Sequence, residues 1–178
     1  MEHDSSETGL GGSCCLREPV RADGWALYSL IRSCPPLDVN SAYAYFLVCD
    51  HYRTTTILAT QAEALNGCVT AYRRPDARDT LFVWQVAVRA EARGQGLGHR
   101  MLDALLCRPA VQGVKWIETT ISPSNVASRR LFGSWAVAQG VRMEETAYLE
   151  PDDFGDSGHE AERLMRLGPF PEGPDPGR

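Results

Sequence analysis

Hydrophobic positions recur along this chain at helical spacing near its start and in its second half, and at strand-like spacing between them. Trp25, Tyr28 and Ile31 lie three apart behind Asp23, an N-cap type, so the pattern predicts a helix from Asp23 through Cys34 that Pro35-Pro36 stops. After Asp38 and Asn40-Ser41, the cluster Tyr43, Tyr45, Phe46 and Leu47 fits a short helix or an aromatic strand, helix being preferred. Thr54 to Gln61 and Gly67 to Arg73 read as an antiparallel pair turning at Asn66-Gly67. Leu81 to Val88 is apolar enough for the middle of a sheet. A helix follows over Gly98 to Cys107, then a strand over Val114 to Ile121. Pro123, Ser124 and Asn125 open a helix with Leu131, Phe132, Trp135 and Ala136 on one face, ending near Gly140. Val141 to Leu149 and Glu160 to Leu167 close the chain as two strands around a DDFGDSG loop. This order predicts a mixed α/β (α+β) domain.

Length and composition narrow that picture. The 178 residues make one domain, expected over 17–168, with flexible tails over 1–16 and 169–178 that are too polar or too rich in Pro and Gly to pack. A net charge of −5 argues against duplex nucleic acid or an anionic membrane as partner. Apolar runs of about eight residues fall short of the ~20 that span a bilayer, and the acidic, glycine-rich start lacks the pattern of a secretion signal. A cytoplasmic protein is expected. The six cysteines form neither a CxxC pair nor a Cys/His cluster at metal-ligand spacing, so reduced structural thiols and no metal centre are expected.

The sharpest local signal is Arg93-Gly94-Gln95-Gly96-Leu97-Gly98, straight after an apolar strand and before an amphipathic helix. Glycines let backbone N–H groups converge on an anion, and the helix start adds its positive end, which suits a pyrophosphate. The Gly-Lys-Ser/Thr end of a P-loop is absent, and the next strand ends Thr119-Thr120-Ile121 without the acid of a dinucleotide fingerprint. Nucleotide hydrolysis and dinucleotide redox chemistry are thereby disfavoured.

Val86-Ala87-Val88, the glycine segment, and Asn125 with Ser128 and Leu131-Phe132 together resemble the acetyl-CoA site of the GNAT family of N-acetyltransferases, a likeness extending over 17–168. The resemblance implies a twisted, mostly antiparallel sheet with one parallel pair, formed by the strands at 81–88 and 114–121, and flanking helices. It implies acetyl-CoA as cosubstrate. Val86, Ala87 and Val88 would lie along the pantetheine arm, Arg93, Gly94, Gln95, Gly96 and Gly98 would hold the pyrophosphate, and Asn125 would reach the arm. A homodimer is also implied. Three further stretches, 35–43, 82–88 and 118–125, resemble the branch of that family that acetylates the γ-amine of L-2,4-diaminobutyrate in ectoine synthesis. Alternatives are another small amine or a protein as acceptor, or an acetyl-CoA-binding module without catalysis.

A diamino acid needs an anion for its α-ammonium, a donor for its carboxylate and a neutral γ-amine. Asp38 is the first candidate for the α-ammonium; its other reading is a helix cap or turn residue. His159 and Glu162 are candidates for the far end of the site, if a bend breaks strand alternation, and Trp84 for a wall on the same side as Val86. Deprotonating an alkylammonium of pKa near 10.4 at neutral pH costs roughly 4 to 5 kcal/mol. Glu162 or His159 would relay that proton, with Tyr43 as an acid, because Phe132 stands where the family commonly has a tyrosine. The cysteines have no adjacent histidine to activate them and are expected to pack.

Overall fold

A computed structural model describes residues 14–171. The elements are β1 (Cys15–Arg17), α1 (Gly24–Arg32), α2 (Ala42–His51), β2 (Ile57–Gln61), β3 (Ala64–Arg73), β4 (Thr80–Val88), α3 (Leu97–Leu106), β5 (Trp116–Ile121), α4 (Val126–Gln139), β6 (Arg142–Leu149) and β7 (Glu162–Gly168). The strands form one sheet in the order β1-β2-β3-β4-β5-β7-β6, with β4 fourth of seven as its apolar run predicts. All neighbours are antiparallel except β4 and β5. No described helix is long and apolar enough to cross a membrane.

Each face of the sheet carries its own core. On one, α3 and α4 bury Met101, Leu102, Leu105, Phe132 and Trp135 over Ile57, Val69, Leu81, Val83 and Met165. On the other, α1 and α2 bury Leu27, Leu30, Ile31, Tyr45 and Val48 against Leu58, Cys68 and Ala87. The helix at α1 is where the spacing predicts it, but its inner face is Leu27, Leu30 and Ile31, while Trp25 is exposed. Asp23 precedes α1 without capping it. Its carboxylate accepts from the Arg17 guanidinium at 2.7 and 2.8 Å and from the Val20 N–H at 2.7 Å, fastening β1 to the helical layer.

The β2–β3 hairpin turns four residues earlier than Asn66-Gly67 suggests, at Ala62 and Glu63, which carry φ of 46° and 65°. Gly67 lies inside β3 opposite Ala59, and a Cβ there would stand 3.0 Å from Met101 Cε and 3.1 Å from the Ala87 carbonyl. Its glycine serves close packing and not a turn.

Both expected domain boundaries move outward. Cys15 and Leu16 pair with Thr60 and Ala59, so the sheet begins before residue 17. At the other end Phe170 is buried against Trp135 with ring centroids 5.5 Å apart, and its N–H donates to the Lys115 carbonyl at 2.8 Å. Burying one phenylalanine side chain contributes about 1.5–3 kcal/mol, enough to fasten a proline-rich segment that the sequence assigns to a tail. The rest of the two expected tails, 1–13 and 172–178, lies outside the described residues.

The feature that positions the site is the short life of the parallel pair. β4 and β5 are in register only from Thr80 opposite Trp116 to Phe82 opposite Glu118. Past Phe82, β4 keeps β3 on one side and diverges from β5 on the other, so the backbone groups on that edge of its second half are no longer paired with a strand.

Candidate active site

Two cavities open along the second half of β4. The larger, about 630 Å³, is walled by Val86, Ala87 and Val88, by the 93–98 segment, by the α4 face at Asn125, Ser128 and Leu131, and by the loop Cys34–Leu37. Of the residues expected at a cofactor, all but Gln95 line it; the Gln95 amide turns back and donates to the Glu91 carbonyl at 3.2 Å. Gly94 and Gly96 have φ of 75° and 69°, and nothing stands within 4 Å of where a Cβ would be. Glycine is needed there for the left-handed backbone, and the peptide faces open space. Gly96 is the N-cap of α3 and offers no side chain, so the first-turn N–H groups have no partner within the helix and suit an anion. Arg93 is fixed by its Nε donating to the Val88 carbonyl at 3.0 Å. Asn125 caps α4, its Oδ1 accepting from the Ser128 N–H at 3.1 Å, which leaves its amide hydrogens for another acceptor.

The smaller cavity, about 330 Å³, is lined by Trp84 and Phe82 of β4, Tyr72 and Thr70 of β3, Thr120 of β5, and by Val48, Tyr52 and Tyr148. Trp84 therefore does not share a side with Val86 as strand alternation predicts. The β3–β4 register passes from Thr70 opposite Gln85 to Ala71 opposite Val83, leaving Trp84 as the extra residue of a bulge. A bulge breaks the alternation and puts Trp84 over the α2 face while Val86 faces the larger cavity.

Beside the smaller cavity the fold gathers Asp38, His159 and Glu162 from three segments. The His159 Nε2 is 2.9 Å from the Asp38 carboxylate, and its Nδ1 is 3.0 Å from the Glu160 carbonyl. A carbonyl only accepts, so Nδ1 donates, and a carboxylate at the other nitrogen favours a ring that donates from both. The Glu160 carbonyl first and then Asp38 accordingly push the His159 pKa up. Phe154 stacks on the imidazole at 4.2 Å and 19°. His159 stands in the loop ahead of β7, and this brings it within electrostatic range of Glu162 without a bulge in that strand. Burial raises Glu162, a hydrogen bond from the Thr120 hydroxyl opposes the rise, and Thr120 itself lines the smaller cavity.

Tyr43 is not brought here. It sits on the outer side of α2, 69% exposed, because that helix buries Tyr45, Val48 and Cys49 instead. An acid role for Tyr43 is not supported by this placement. Phe132 is buried in the α3–α4 core, and burial pushes the Cys49 and Cys68 thiols up to about 12, which leaves them protonated and inert. His99 and Ser134, 2.9 Å apart, also line the larger cavity with Arg130, as does the Cys34–Leu37 loop. The position of His99 one residue past the glycine segment is a signal for it; nothing local marks Ser134 or Thr120.

A glycine-bracketed helix start beside a diverging strand pair defines an acyl-CoA-type site, and comparison agrees. Residues 24–134 match the model of the acetyltransferase (GNAT) family, and the chain belongs to that family. It is 44% identical over 160 residues to the L-2,4-diaminobutyric acid acetyltransferase of Bordetella parapertussis, covering 89% of this chain and 86% of that one. It is 46% identical over 157 residues to the enzyme of the same name from Streptomyces avermitilis, covering 87% and 88%. The structure of diaminobutyrate acetyltransferase from Paenibacillus lautus, in complex with L-2,4-diaminobutyric acid and coenzyme A, is 40% identical and superposes with a TM-score of 0.88 over 92% of this chain and 99% of that one.

Proposed function

We propose that this protein transfers the acetyl group of acetyl-CoA to the γ-amine of L-2,4-diaminobutyrate, giving N4-acetyl-L-2,4-diaminobutyrate and CoA, the acetylation step of ectoine synthesis. The observation that carries this reading is the cluster of Asp38, His159 and Glu162 beside the Trp84 cavity, in a chain so similar over its length to enzymes of that name.

The larger cavity fits acetyl-CoA. The left-handed glycines and the uncapped start of α3 suit its diphosphate, and the edge of β4 at Val86 to Val88, released from β5, suits the amides of its arm. Acetyl-CoA supplies the acetyl group as a thioester. Asp38, its carboxylate held by a bond from the His159 imidazolium, binds the α-ammonium and keeps it away from that group, the positive charge of the imidazolium attracts the substrate carboxylate, and Trp84 packs on the carbon chain. Glu162 accepts the γ-ammonium proton. Its raised pKa makes it a stronger base than an ordinary carboxylate, which lowers the ~4 to 5 kcal/mol cost of that step.

The reaction belongs in the cytoplasm, where acetyl-CoA is made; the six cysteines are free thiols, in keeping with a reducing compartment. A second copy covers β6, an edge strand exposed from Arg142 to Tyr148, so the working unit is a homodimer; light scattering should give twice the mass of one chain. Thiol release from acetyl-CoA tests the function across L-2,4-diaminobutyrate, ornithine, lysine, 1,3-diaminopropane and a peptide amine. Diaminobutyrate should lead in kcat/KM by about a hundredfold, since ornithine and lysine have the wrong spacing between the two amines and 1,3-diaminopropane lacks the carboxylate that the site is charged to hold. A better acceptor elsewhere in that panel contradicts the reading.

A further inference from the structure

Gln85 is a polar residue in a place where β4 would be expected to bury an apolar one. It is 5% exposed and follows the bulged Trp84, and the N–H that the bulge displaces donates to Thr70 Oγ1 at 3.1 Å. Its side chain reaches out of the sheet, and Nε2 donates to the Asp38 carbonyl at 2.8 Å. The other end of the same amide, Oε1, is buried without a hydrogen-bond partner among the described residues. A buried unpaired carbonyl oxygen lowers stability, so the residue is held at a cost that packing does not explain.

The segment that Gln85 grips has two tasks. Cys34 to Leu37 wall the larger cavity, and the next residue, Asp38, faces His159. It lies between Arg32, where α1 ends, and Ala42, where α2 begins, without regular structure of its own apart from a turn closed by the Leu37 N–H on the Cys34 carbonyl. A carboxylate on such a loop wanders unless its backbone is held, and the 2.8 Å bond to Gln85 holds the backbone of Asp38 itself. Gln85 also adjoins Trp84, the wall of the smaller cavity, so one bulge sets both the aromatic wall and the carboxylate.

We propose that Gln85 is a positioning residue for diamine recognition, acting through the Asp38 backbone to fix the carboxylate that selects the α-ammonium. This rests on the assignment of Asp38 made above. Gln85 touches no substrate in this account.

Three variants and one double variant test it. Gln85→Met keeps length and volume, removes the donor and also removes the unpaired oxygen. Its Tm should equal or exceed that of the unchanged protein, while KM for L-2,4-diaminobutyrate rises tenfold or more and KM for acetyl-CoA changes by less than about threefold. Adding Gln85→Met to Asp38→Asn should change diamine kcat/KM by less than about twofold, because the two residues act as one unit. Gln85→Glu donates only when its buried carboxyl is protonated, so its diamine kcat/KM relative to the unchanged protein should recover as pH falls. A Gln85→Met variant whose Tm falls and whose two KM values rise together marks a plain packing role and overturns the proposal. Asp38→Asn kinetics equal to those of the unchanged protein overturn the Asp38 assignment and this inference with it. A slow Asp38→Asn beside a normal Gln85→Met overturns this inference alone.

Discussion

The two halves of the site are built from different materials. The working surface of the larger cavity is backbone: a strand edge at Val86–Val88 released from β5, two left-handed glycines, and the first turn of α3. The smaller cavity and its rim are made of side chains carried by α2, β3, β4, β5, β6 and the loops at Asp38 and His159. A backbone site recognises what all acyl-CoA molecules share, and its backbone elements lie in one stretch of chain, residues 86–98. A site of side chains from many elements recognises one acceptor, and each of its members can be changed alone. Damage to the first should remove cofactor use altogether, whereas damage to the second should leave cofactor use and alter the acceptor.

The largest expected effect is on the backbone side. Gly96→Glu puts an L-residue at a φ of 69° and an anion at the start of α3, so acetyl-CoA KM should rise by about a hundredfold or more, with the circular dichroism spectrum unchanged. A normal acetyl-CoA KM in that variant breaks the comparison at its stronger end. Next is Asp38→Asn, which keeps shape but loses charge. Diamine kcat/KM should fall about 30-fold, or roughly 2 kcal/mol, while acetyl-CoA KM moves less than about twofold. Equal losses in both would mean that the two regions are one.

The contrast also explains what the sequence allowed. The glycine segment can be read directly as an anion site, because its chemistry depends on neighbours in the chain, whereas the roles of Asn125 and the Val86–Val88 strand come with the family resemblance. Strand alternation puts Trp84 on the wrong side because a bulge is a property of the β3–β4 register, and no residue in either strand announces it. Asn66-Gly67 has the composition of a turn, yet Gly67 answers to Met101, a contact that exists only after α3 packs on β3. The face of α1 differs from the spacing for a similar reason: aromatic Trp25 and Tyr28 match the period, but the helix buries Leu27, Leu30 and Ile31 between α2 and the sheet. Asp38, His159 and Glu162 could be named only through family resemblance, and the bond between Asp38 and His159 spans 121 residues of chain.

A smaller effect sharpens the description of the acceptor side. Burial raises the Glu162 pKa in the folded protein, so the stability it contributes is fully present below its unfolded pKa and is lost as pH rises through the folded one. Glu162→Gln resembles the protonated state. It should melt above the unchanged protein at neutral pH, the gap should close as pH falls below the ordinary carboxylate range, and acetyl transfer should be slow throughout. Unchanged melting at every pH would place Glu162 in open solvent. The smallest effect is a titration. His159 should titrate above the usual histidine range by NMR, and Asp38→Asn should lower it without full return, because the Glu160 carbonyl, the larger cause, remains. Complete return would show that Asp38 alone sets the charge.

The position of the acetyl group on the product tests the account most directly, because every assignment on the acceptor side serves to present one amine and withhold the other. L-2,4-diaminobutyrate and acetyl-CoA are incubated with the protein to partial conversion, and the product is resolved by two-dimensional NMR. The account predicts acetylation at N4 alone, with the α-amine free. Acetylation at N2, a mixture of the two isomers, or no product from this diamine would contradict it.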